Sequence, residues 1–576
     1  MIKAFKRYTK VFKGIRLPWG LLFLVVAVSV VRSHLEVETL TLTASIIDGS
    51  QGSVRTDELV RYIEFLLLSC IVSVAFNYIS GLAYQKINLS VRLKLWNKMM
   101  RLPTRYYDSD SGNGLVTRVT SDADSASNYF QLMIDLFTAV YAGIVAYHRM
   151  FTFQSAMAAA SLLIIPLTLG IGAVYGALSY RAGAECRNRL ADTMGYLAER
   201  VRGLKLIRSF RMMDEEEKRG NDLFRKQCGA DIRLSLVSMV QLAGMEIIGC
   251  ISIVISFVLG GKLVAEGRIT TGILIGFYSL SALGATRVVA VFATLGSFAQ
   301  NTGVMQKIGL VLEAEEESDA GYEMDVKDED LNIKHLDFAY ETCPVLKDLV
   351  CTIPKGRVTA IVGTNGAGKT TLFKLLERMY EPGGGGICFG ETDIGEFSLS
   401  SWRKSFAIVA QDKPLLSGTI RENILYGVER PVSEEELHQV AKMAGIYDFV
   451  METPGGFDAQ VGPGGSNFSG GQQQCIAIAR AMMRNPDYLL LDEATSNLDV
   501  KSERQVSLAL QNLMKGRTTV LIAHNYSATR FADQVIVMNG GQIEASGTPE
   551  ELLEKNEYYR IFAKEALSGA KAGGTF

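Results

Sequence analysis

Six mostly apolar stretches in the first 300 residues constrain the fold of this chain more than any other feature. Residues 17–31, 65–85 and 150–180 carry no charged side chain, whereas 235–261 and 269–300 carry one each. A helix that crosses a bilayer needs about 20 apolar residues, so we predict six spanning helices. They cover residues 17–47, 58–84, 128–149, 155–181, 235–261 and 269–300.

The first stretch has an alternative interpretation as a cleaved signal peptide, because it is short and follows a basic segment. Six spans fit better, since five would place the C-terminal half of the chain outside the cell. Polar residues within or near the spans are candidates either for function or for pairs that fix helix packing. They are Arg32, Glu36, Glu38, Asp135, Glu246 and Arg287.

The charge distribution orients the predicted spans. Residues 1–16 hold six basic side chains and no acidic one, with apolar residues at helical spacing. This pattern predicts an amphipathic helix on the cytoplasmic leaflet. The connections 86–127 and 182–234 are long and look helical, whereas those on the other side are short. We therefore expect both termini in the cytosol and helices that continue beyond the bilayer, in a plasma membrane.

Beyond the last span the character of the sequence changes. Residues 313–330 contain ten acidic residues and one lysine, which is typical of a solvated linker. Apolar β-rich runs then alternate with polar helical stretches, as in α/β nucleotide-binding domains. The predicted organisation is a transmembrane domain (1–310), a linker (311–330), an α/β domain (331–566) and a C-terminal tail (567–576).

Composition excludes several classes of protein. A net charge of −2 argues against a basic nucleic-acid binder, and 48% hydrophobic residues argue against a disordered chain. The eight cysteines include no CxxC pair and have no histidine at metal-ligand spacing. We therefore expect reduced, buried cysteines and neither a disulfide framework nor a zinc site.

A glycine-rich segment carries the strongest chemical motif. Gly363 to Thr370 fits G-x-x-x-x-G-K-[ST], follows the apolar run RVTAIV and precedes a helical stretch. In this context the glycines let backbone N–H groups surround phosphate oxygens. Lys369 would reach the terminal phosphates, and the Thr370 hydroxyl would bind Mg²⁺.

A second apolar strand, which begins at Tyr488, ends in two adjacent carboxylates. Asp492 would serve Mg²⁺, and Glu493 would orient and deprotonate an attacking water. Between the two motifs, Asn467 to Gln472 (NFSGGQ) precede another helical run. Ser469 and Gln472 have the spacing of a capping box, and such a helix N-terminus also favours anions.

Together these motifs resemble those of the ABC transporter family. The order GTNGAGKTT, FSGGQ, LDEATSNLD and AHN resembles an ATP-binding cassette, and the six spans resemble an exporter-type half-transporter. The stretch RLPTRYYDSDSGNGLVTRVTSDAD looks like the first intracellular coupling segment of that family. The resemblance implies an all-α six-helix transmembrane domain joined to an α/β P-loop NTPase, with ATP and Mg²⁺ as cofactors and a bacterial source.

The resemblance also assigns roles to individual positions. Tyr340 matches the aromatic that stacks on adenine, Gln411 the glutamine that senses Mg²⁺, and His524 the switch histidine at the γ-phosphate. The signature closes on ATP held by the other cassette, and Asp499 lies at the dimer seam. The expected nucleotide-binding set is Tyr340, Gly363, Thr364, Asn365, Gly366, Ala367, Gly368, Lys369, Thr370, Thr371, Ser469, Gly470, Gly471, Gln472 and Asp499. The catalytic set is Glu493, His524 and Gln411, and the metal-binding set is Thr370, Gln411 and Asp492.

Five positions depart from the family pattern. Phe468 stands in place of leucine and Pro463 in place of a glutamate that contacts coupling helices. Gln473 and Cys475 replace frequent basic residues, and Asn525 replaces arginine. None of these changes removes a hydrolytic group.

The expected mechanism is ATP-driven alternating access by two half-transporters. A homodimer is self-sufficient, because this chain has both the hydrolytic set and an intact signature. The substrate would be a drug, a lipid or a peptide-like compound. The alternatives are a heterodimer, an importer of a metal-chelator complex, and a non-transporting regulatory protein.

Overall fold

The protein is described from a computed structural model. It describes residues 12, 14–49, 56–109, 112–324, 329–412, 415–493 and 499–572. The chain divides into two compact units. The first contains residues 1–102 and 110–315, and the second contains residues 103–109 and 316–576. Most of the predicted basic helix 1–16 lies outside the described residues.

Ten α-helices of the described residues precede the first strand. They are α1 (Trp19–Gly49), α2 (Thr56–Met99), α3 (Thr104–Ser109), α4 (Gly112–Thr117), α5 (Ala123–Phe153), α6 (Ser155–Ser161), α7 (Ile164–Arg202), α8 (Leu204–Ser209), α9 (Met213–Ala265) and α10 (Thr271–Glu313). A π-helical turn, Arg118–Asp122, joins α4 to α5.

Six helical segments in the described part of the chain are long and apolar enough to cross a membrane, as the hydropathy predicts. They are Trp19–Gly49, Thr56–Met99, Leu115–Phe153, Ser155–Arg202, Met213–Ala265 and Thr271–Phe298. Helix α9 has 53 residues. At 1.5 Å per residue such a helix is about 80 Å long, far more than the hydrocarbon core of about 30 Å. Helix α9 thus extends well beyond the predicted span 235–261.

Ion pairs join helices within the first unit. Arg287 of α10 lies 2.6 Å from Glu36 of α1, and Arg149 of α5 lies 3.1 Å from Glu38. Arg32 stacks over the ring of Phe76 at 4.8 Å. Of the six predicted polar positions, Glu36 and Arg287 therefore pair with each other, whereas Glu38 and Arg32 contact residues outside the predicted set. Of the other two, Asp135 accepts a hydrogen bond from Gln131, and Glu246 is exposed.

The second unit is a mixed α/β structure. Its strands are β1 (Leu331–Tyr340), β2 (Cys343–Ile353), β3 (Val358–Gly363), β4 (Gly384–Phe389), β5 (Thr392–Asp393), β6 (Phe406–Val409), β7 (Gly418–Thr419), β8 (Gln460–Val461), β9 (Tyr488–Asp492), β10 (Thr518–Ile522), β11 (Gln534–Asn539) and β12 (Gln542–Gly547). Its helices after α3 are α11 (Lys369–Leu376), α12 (Leu399–Ser405), α13 (Ile420–Ile424), α14 (Glu434–Met443), α15 (Tyr447–Glu452), α16 (Gly470–Arg484), α17 (Val500–Met514), α18 (Tyr526–Thr529), α19 (Pro549–Lys555) and α20 (Glu557–Ala572).

A six-stranded sheet in the order β12-β11-β3-β10-β9-β6 forms the centre of this unit. Strands β11, β3, β10, β9 and β6 are parallel, and β12 is an antiparallel edge strand. The central strands are almost fully buried, which is why they consist of near-continuous apolar runs. A four-stranded antiparallel sheet, β2-β1-β4-β5, packs its apolar residues into the same core cluster as α11.

The acidic stretch that was predicted to be a solvated linker is attached to the second unit. Glu317 forms a two-point ion pair with Arg403 of α12, at 2.8 and 2.9 Å. Asp319 accepts a hydrogen bond from the backbone of Ser400, and Tyr322 pairs with Phe397. Although its side chains are largely exposed, the described part of this segment is held in place by one ion pair, a hydrogen bond and a backbone bridge that its composition alone does not reveal.

The structure also bears on the expectations for the C-terminal tail and for the burial of the cysteines. Helix α20 continues to Ala572, within the stretch predicted as a tail. The cysteines are free thiols, but only Cys388 and Cys475 are buried. Cys70 and Cys250 are exposed on apolar helices that bury little of their surface within this chain.

Candidate functional site

The glycine-rich loop between β3 and α11 has the conformation that a phosphate-binding loop requires. Gly363 has a φ of 157°, and a Cβ there would meet the carbonyl oxygen of Met538 at 2.1 Å. Gly368 has a φ of 95°, and a Cβ there would lie 2.5 Å from Leu346. Both positions therefore require glycine. The loop leads directly into the N-terminus of α11, which favours an anion.

The other loop residues divide into an exposed and a buried group. Thr364, Asn365, Gly366 and Thr370 are exposed, whereas Ala367 and Thr371 are buried in the fold. The Thr370 hydroxyl is thus accessible to a ligand at the start of α11. Ala367 and Thr371 instead anchor the loop to the core.

Lys369 is a buried cation that is held by the loop itself. Its Nζ donates to the carbonyl oxygens of Gly363 and Thr364, at 2.9 and 3.1 Å. Burial lowers the pKa of Lys369, while the negative charges of Glu493 and Asp492 oppose that shift. The two carbonyl oxygens hold the ammonium group of Lys369 in place, and the charges of the two carboxylates partly compensate its positive charge.

The predicted catalytic residues follow the carboxyl ends of neighbouring parallel strands. Asp492 ends β9, Gln411 follows β6 and His524 follows β10, in the same sheet as β3. The carboxyl ends of parallel strands meet at one edge of a sheet, where ligands bind in open α/β folds. Sheet order therefore brings these residues to the phosphate-binding loop, although they are far apart in sequence.

Glu493 is the centre of a polar cluster at this edge. Its Oε2 accepts a hydrogen bond of 2.8 Å from Gln411 Nε2, and its Oε1 lies 2.5 Å from His524 Nε2. Its backbone has a φ of 47°, which is uncommon for a residue with a side chain. Burial raises the pKa of the adjacent Asp492, and the charge of Glu493 raises it further. The arrangement can fix the orientation of one carboxylate between two side chains.

Tyr340 lies in an aromatic cluster at the end of β1. Its ring packs edge-on against Phe338 and Tyr380, with centroid distances of 4.9 and 5.2 Å. Lys374 of α11 places its Nζ 5.7 Å from the Tyr340 centroid. Sequence reasoning missed Lys374 and Tyr380, although an aromatic residue shortly after the phosphate-loop helix was a usable signal.

The signature residues form the predicted helix start. Ser469 accepts from the backbone of Gln472, and the Gln472 side chain accepts from the backbone of Ser469, which is a complete capping box. Gly470 begins α16. A Cβ at Gly471 would lie 2.6 Å from Ser502, so glycine is needed for the close approach of α16 and α17.

Two departures from the family pattern have structural explanations. The Gln473 side chain donates to the carbonyl oxygens of Gly465 and Phe468, so it stabilises the signature loop without a charge. Cys475 is fully inside the core, and burial raises its pKa to about 12. A basic residue at that position would place a charge in an apolar cluster.

Asp499 stands at the start of α17, where it accepts hydrogen bonds from the backbone and the hydroxyl of Ser502. The residues between Glu493 and Asp499 lie outside the described part of the chain. Among the described residues, no hydrogen bond or ion pair joins Ser469–Gln472 to the loop Gly363–Thr371. The loop and the signature residues thus begin two different helices, α11 and α16, and each segment makes its own local hydrogen bonds.

Comparison with known proteins supports the architecture in both units. A family model for the ABC transporter transmembrane region matches residues 22–287, and one for the ABC transporter matches residues 346–496. A multidrug resistance ABC transporter ATP-binding and permease protein of Lactococcus lactis subsp. lactis is 29% identical over 98% of this chain and 96% of its own length. An ATP-binding/permease protein of Staphylococcus aureus is 32% identical over 97% of this chain and 98% of its own.

A third relative has a different stated substrate. An ATP-dependent lipid A-core flippase of Syntrophus aciditrophicus is 30% identical over 85% of this chain and 82% of its own length. The transmembrane unit, the ATP-binding unit and the full-length similarity agree. The chain therefore belongs to the ABC transporter family, as a half-transporter in which one six-span membrane domain is fused to one ATP-binding cassette.

Proposed function

We propose that this chain forms a homodimer that exports an amphiphilic compound by alternating access, powered by ATP hydrolysis. The observation that carries the proposal is the position of Glu493 beside the phosphate-binding loop, between Gln411 and His524. A cassette with a purely regulatory, non-hydrolysing role would not need these three side chains. The half-transporter architecture requires a second half, and this chain has every element that a second copy would have to supply.

The phosphate-binding loop would hold ATP through its backbone, and Lys369 would contact the terminal phosphates. Thr370, Asp492 and Gln411 offer a hydroxyl, a carboxylate and an amide oxygen, the hard donors that Mg²⁺ prefers. Bound there, Mg²⁺ would neutralise charge on the phosphates. Tyr340 would pack against the adenine ring, since it is a half-exposed aromatic at the end of β1.

Glu493 would orient the attacking water and accept its proton. His524 would hold the carboxylate in place and contact the γ-phosphate. Gln411 and His524 each contact one carboxylate oxygen of Glu493, and both oxygens retain lone pairs that can accept a hydrogen bond from the attacking water.

The signature and the phosphate-binding loop begin different helices, which fits a site shared between two copies. Two cassettes would meet head to tail, so that Ser469, Gly470 and Gly471 of one copy cover the ATP of the other. Asp499 would lie at the seam. Closure would switch the membrane domains from inward- to outward-facing, and hydrolysis would reset them.

An amphiphilic substrate fits the membrane domain. The acidic residues Glu36 and Glu38 each pair with an arginine, so these charges largely cancel along the spans. Paired charges and apolar helix faces suit a compound with an extended apolar part. The Lactococcus relative is named for multidrug resistance, and the Syntrophus relative for lipid A-core flipping. A lipid is therefore the second candidate substrate.

We also propose that both termini lie in the cytosol of a bacterial cell. The six basic residues within 1–16 and the ATP requirement of the cassette support this orientation.

ATP turnover by the purified full-length chain in lipid nanodiscs tests the proposal. We expect turnover without any other subunit, and we expect Glu493→Gln to reduce kcat by at least about 100-fold because the proton acceptor is lost. The variant should still bind ATP, in contrast to Lys369→Ala. Turnover that appears only with a second, different subunit would contradict the homodimer.

Stimulation of that turnover distinguishes the two substrate classes. An apolar cationic drug and a phosphorylated glycolipid are titrated separately, with a hydrophilic peptide as control. Stimulation by the drug supports drug export, and stimulation by the glycolipid alone supports lipid flipping. Stimulation by neither of the two would argue against an amphiphilic substrate.

A further inference from the structure

A short helix from the N-terminal part of the sequence lies within the ATP-binding unit. Helix α3 spans Thr104–Ser109, and residues 103–109 group with residues 316–576. Tyr380 donates its hydroxyl hydrogen to Asp108 Oδ2, and Lys374 Nζ lies 3.5 Å from the same oxygen. One carboxylate of α3 thus engages two side chains of the cassette that are more than 260 residues away in sequence.

Those two side chains are in direct contact with Tyr340, the expected adenine platform. The Tyr340 and Tyr380 rings meet at 85°, with centroids 5.2 Å apart, and Phe338 packs edge-on against both. Lys374 Nζ lies 5.7 Å from the centroid of Tyr340 and 5.5 Å from that of Tyr380. A cation at these distances is attracted to the faces of both rings. Asp108 therefore contacts two of the three groups that pack against Tyr340, namely Tyr380 and Lys374.

The hydroxyl of Tyr380 keeps its proton and so remains a hydrogen-bond donor to Asp108. Burial raises the pKa of Tyr380, and the hydrogen bond to Asp108 raises it further. The phenol stays protonated at any physiological pH, so its contact with the carboxylate does not depend on pH in that range. The side chains of Asp108 and Lys374 are 48% and 33% exposed. An ion pair with that exposure adds little to folding stability, so its effect is local.

Resting on the proposed ATP site, we infer that Asp108 is a positioning residue for adenine. It holds Tyr380 and Lys374, and through them it fixes the ring of Tyr340 against which the base packs. The phosphate-binding loop lies at the other end of α11 and does not depend on Asp108.

This arrangement links base binding to the membrane helices through the chain itself. Helix α3 follows α2 after a few residues and leads into α4 and α5, which contain membrane-spanning segments. A movement of those helices that withdraws Asp108 would release Tyr380 and Lys374 and loosen Tyr340. By reciprocity of coupled binding, adenine would in turn favour the state in which α3 is engaged.

The test compares a nucleotide with a ligand that lacks the base. Displacement of a fluorescent ATP analogue from the full-length chain in nanodiscs gives dissociation constants for ATP and for inorganic tripolyphosphate. We expect Asp108→Ala to weaken ATP about three- to tenfold, the size of one partly exposed charge-assisted contact, and to leave tripolyphosphate unchanged. Equal weakening of both ligands, or of neither, would overturn the inference.

Three further variants separate the parts of this contact. Tyr380→Phe removes only the hydroxyl and should weaken ATP to a similar extent, and combining it with Asp108→Ala should add little because the two groups share one interaction. Asp108→Asn retains an acceptor for Tyr380 and should recover part of the ATP affinity. Full additivity in the double variant would contradict a shared role.

Two controls distinguish failure of this inference from failure of the proposed site. Asp448→Ala removes an exposed carboxylate from α15 and should change neither dissociation constant. Lys369→Ala should weaken both ATP and tripolyphosphate, because Lys369 serves the phosphates. If Lys369→Ala behaves in this way while Asp108→Ala has no effect, the ATP site stands and the role of Asp108 is wrong.

Discussion

Glu377 is a carboxyl group buried directly after the phosphate-loop helix, with only 8% of its surface exposed. Burial raises its pKa to about 7, an effect that the nearby Arg403 guanidinium opposes and the Asp492 charge reinforces. An unfolded glutamate titrates near 4.3. The folded state therefore binds this proton more tightly than the unfolded state. The resulting stability is complete below the unfolded pKa and is lost as the pH rises to about 7.

We predict that Glu377→Gln stabilises the protein more at pH 8 than at pH 5. The glutamine is neutral at both pH values, whereas the wild-type carboxyl must ionise in a buried position at the higher one. The advantage should grow by about 2 kcal/mol or somewhat more between these pH values. Thermal unfolding of the full-length chain in detergent measures it. Glu554→Gln, at an exposed position of α19, is the control, and parallel pH profiles for both variants would contradict the prediction.

At the scale of elements, the attachment of the acidic segment to α12 connects the chain after α10 with the phosphate-loop helix. Arg403 binds both carboxylate oxygens of Glu317. The same guanidinium also donates to the carbonyl oxygens of Glu377 and Arg378, at 3.3 and 3.0 Å. These carbonyls lie just beyond the C-terminal end of α11. One side chain thus fixes the incoming segment and satisfies the end of the helix that begins the phosphate site.

We predict that Arg403→Ala lowers the stability of the ATP-binding unit by about 1–3 kcal/mol, because a two-point charged contact and two carbonyl contacts are lost. Arg403→Lys should recover only part of this, since an ammonium cannot bind in the same two-point geometry. The thermal midpoint of the full-length chain measures both. Lys404 lies beside Arg403 on α12 and forms an exposed pair with Glu429 of a later loop, so Lys404→Ala should change stability by less than about 1 kcal/mol.

The same elements show what sequence could and could not predict. Mostly apolar stretches located the six candidate spanning helices of the described residues, because in lipid a helix is the structure that satisfies its own backbone. The strand, loop and helix around Gly363 were likewise predicted from local pattern. The attachment of Glu317 to Arg403 was not, because a run of acidic residues has the same composition whether or not a partner is present. Asp108 was missed as an individual residue because its partners, Lys374 and Tyr380, lie more than 260 residues away in sequence.

At the scale of the whole molecule, the roles of the motifs were predicted from family resemblance, and the observed sheet order explains how they meet. The carboxyl ends of β3, β6, β9 and β10 bring Gln411, Glu493 and His524 together, which sequence distance alone does not indicate. Ser469 to Gln472 begin a different helix, α16, with a capping box of their own. A capping box predicts a helix start but says nothing about which cassette it faces. The proposed shared site therefore needs a test of its own.

Mixing two inactive copies provides that test. Lys369→Ala disables the phosphate-binding loop, and Ser469→Arg disables the signature. We expect each to be inactive alone. In a mixed dimer, the intact loop of one copy faces the intact signature of the other, and the second site has both defects. Since half of randomly assembled dimers are mixed and each has one working site, an equal mixture should recover at most about a quarter of wild-type turnover.

The outcome separates a shared site from a site within one chain. If each cassette used its own signature, every copy in the mixture would carry a defective site, and no turnover would return. Coexpression followed by purification through two different affinity tags isolates the mixed dimer, whose turnover should rise to at most about half that of the wild type. A Glu493→Gln substitution in the copy that carries Ser469→Arg should abolish the recovered activity, because that copy supplies both the intact loop and the working carboxylate. The same substitution in the Lys369→Ala copy should leave it largely intact if the two sites hydrolyse independently.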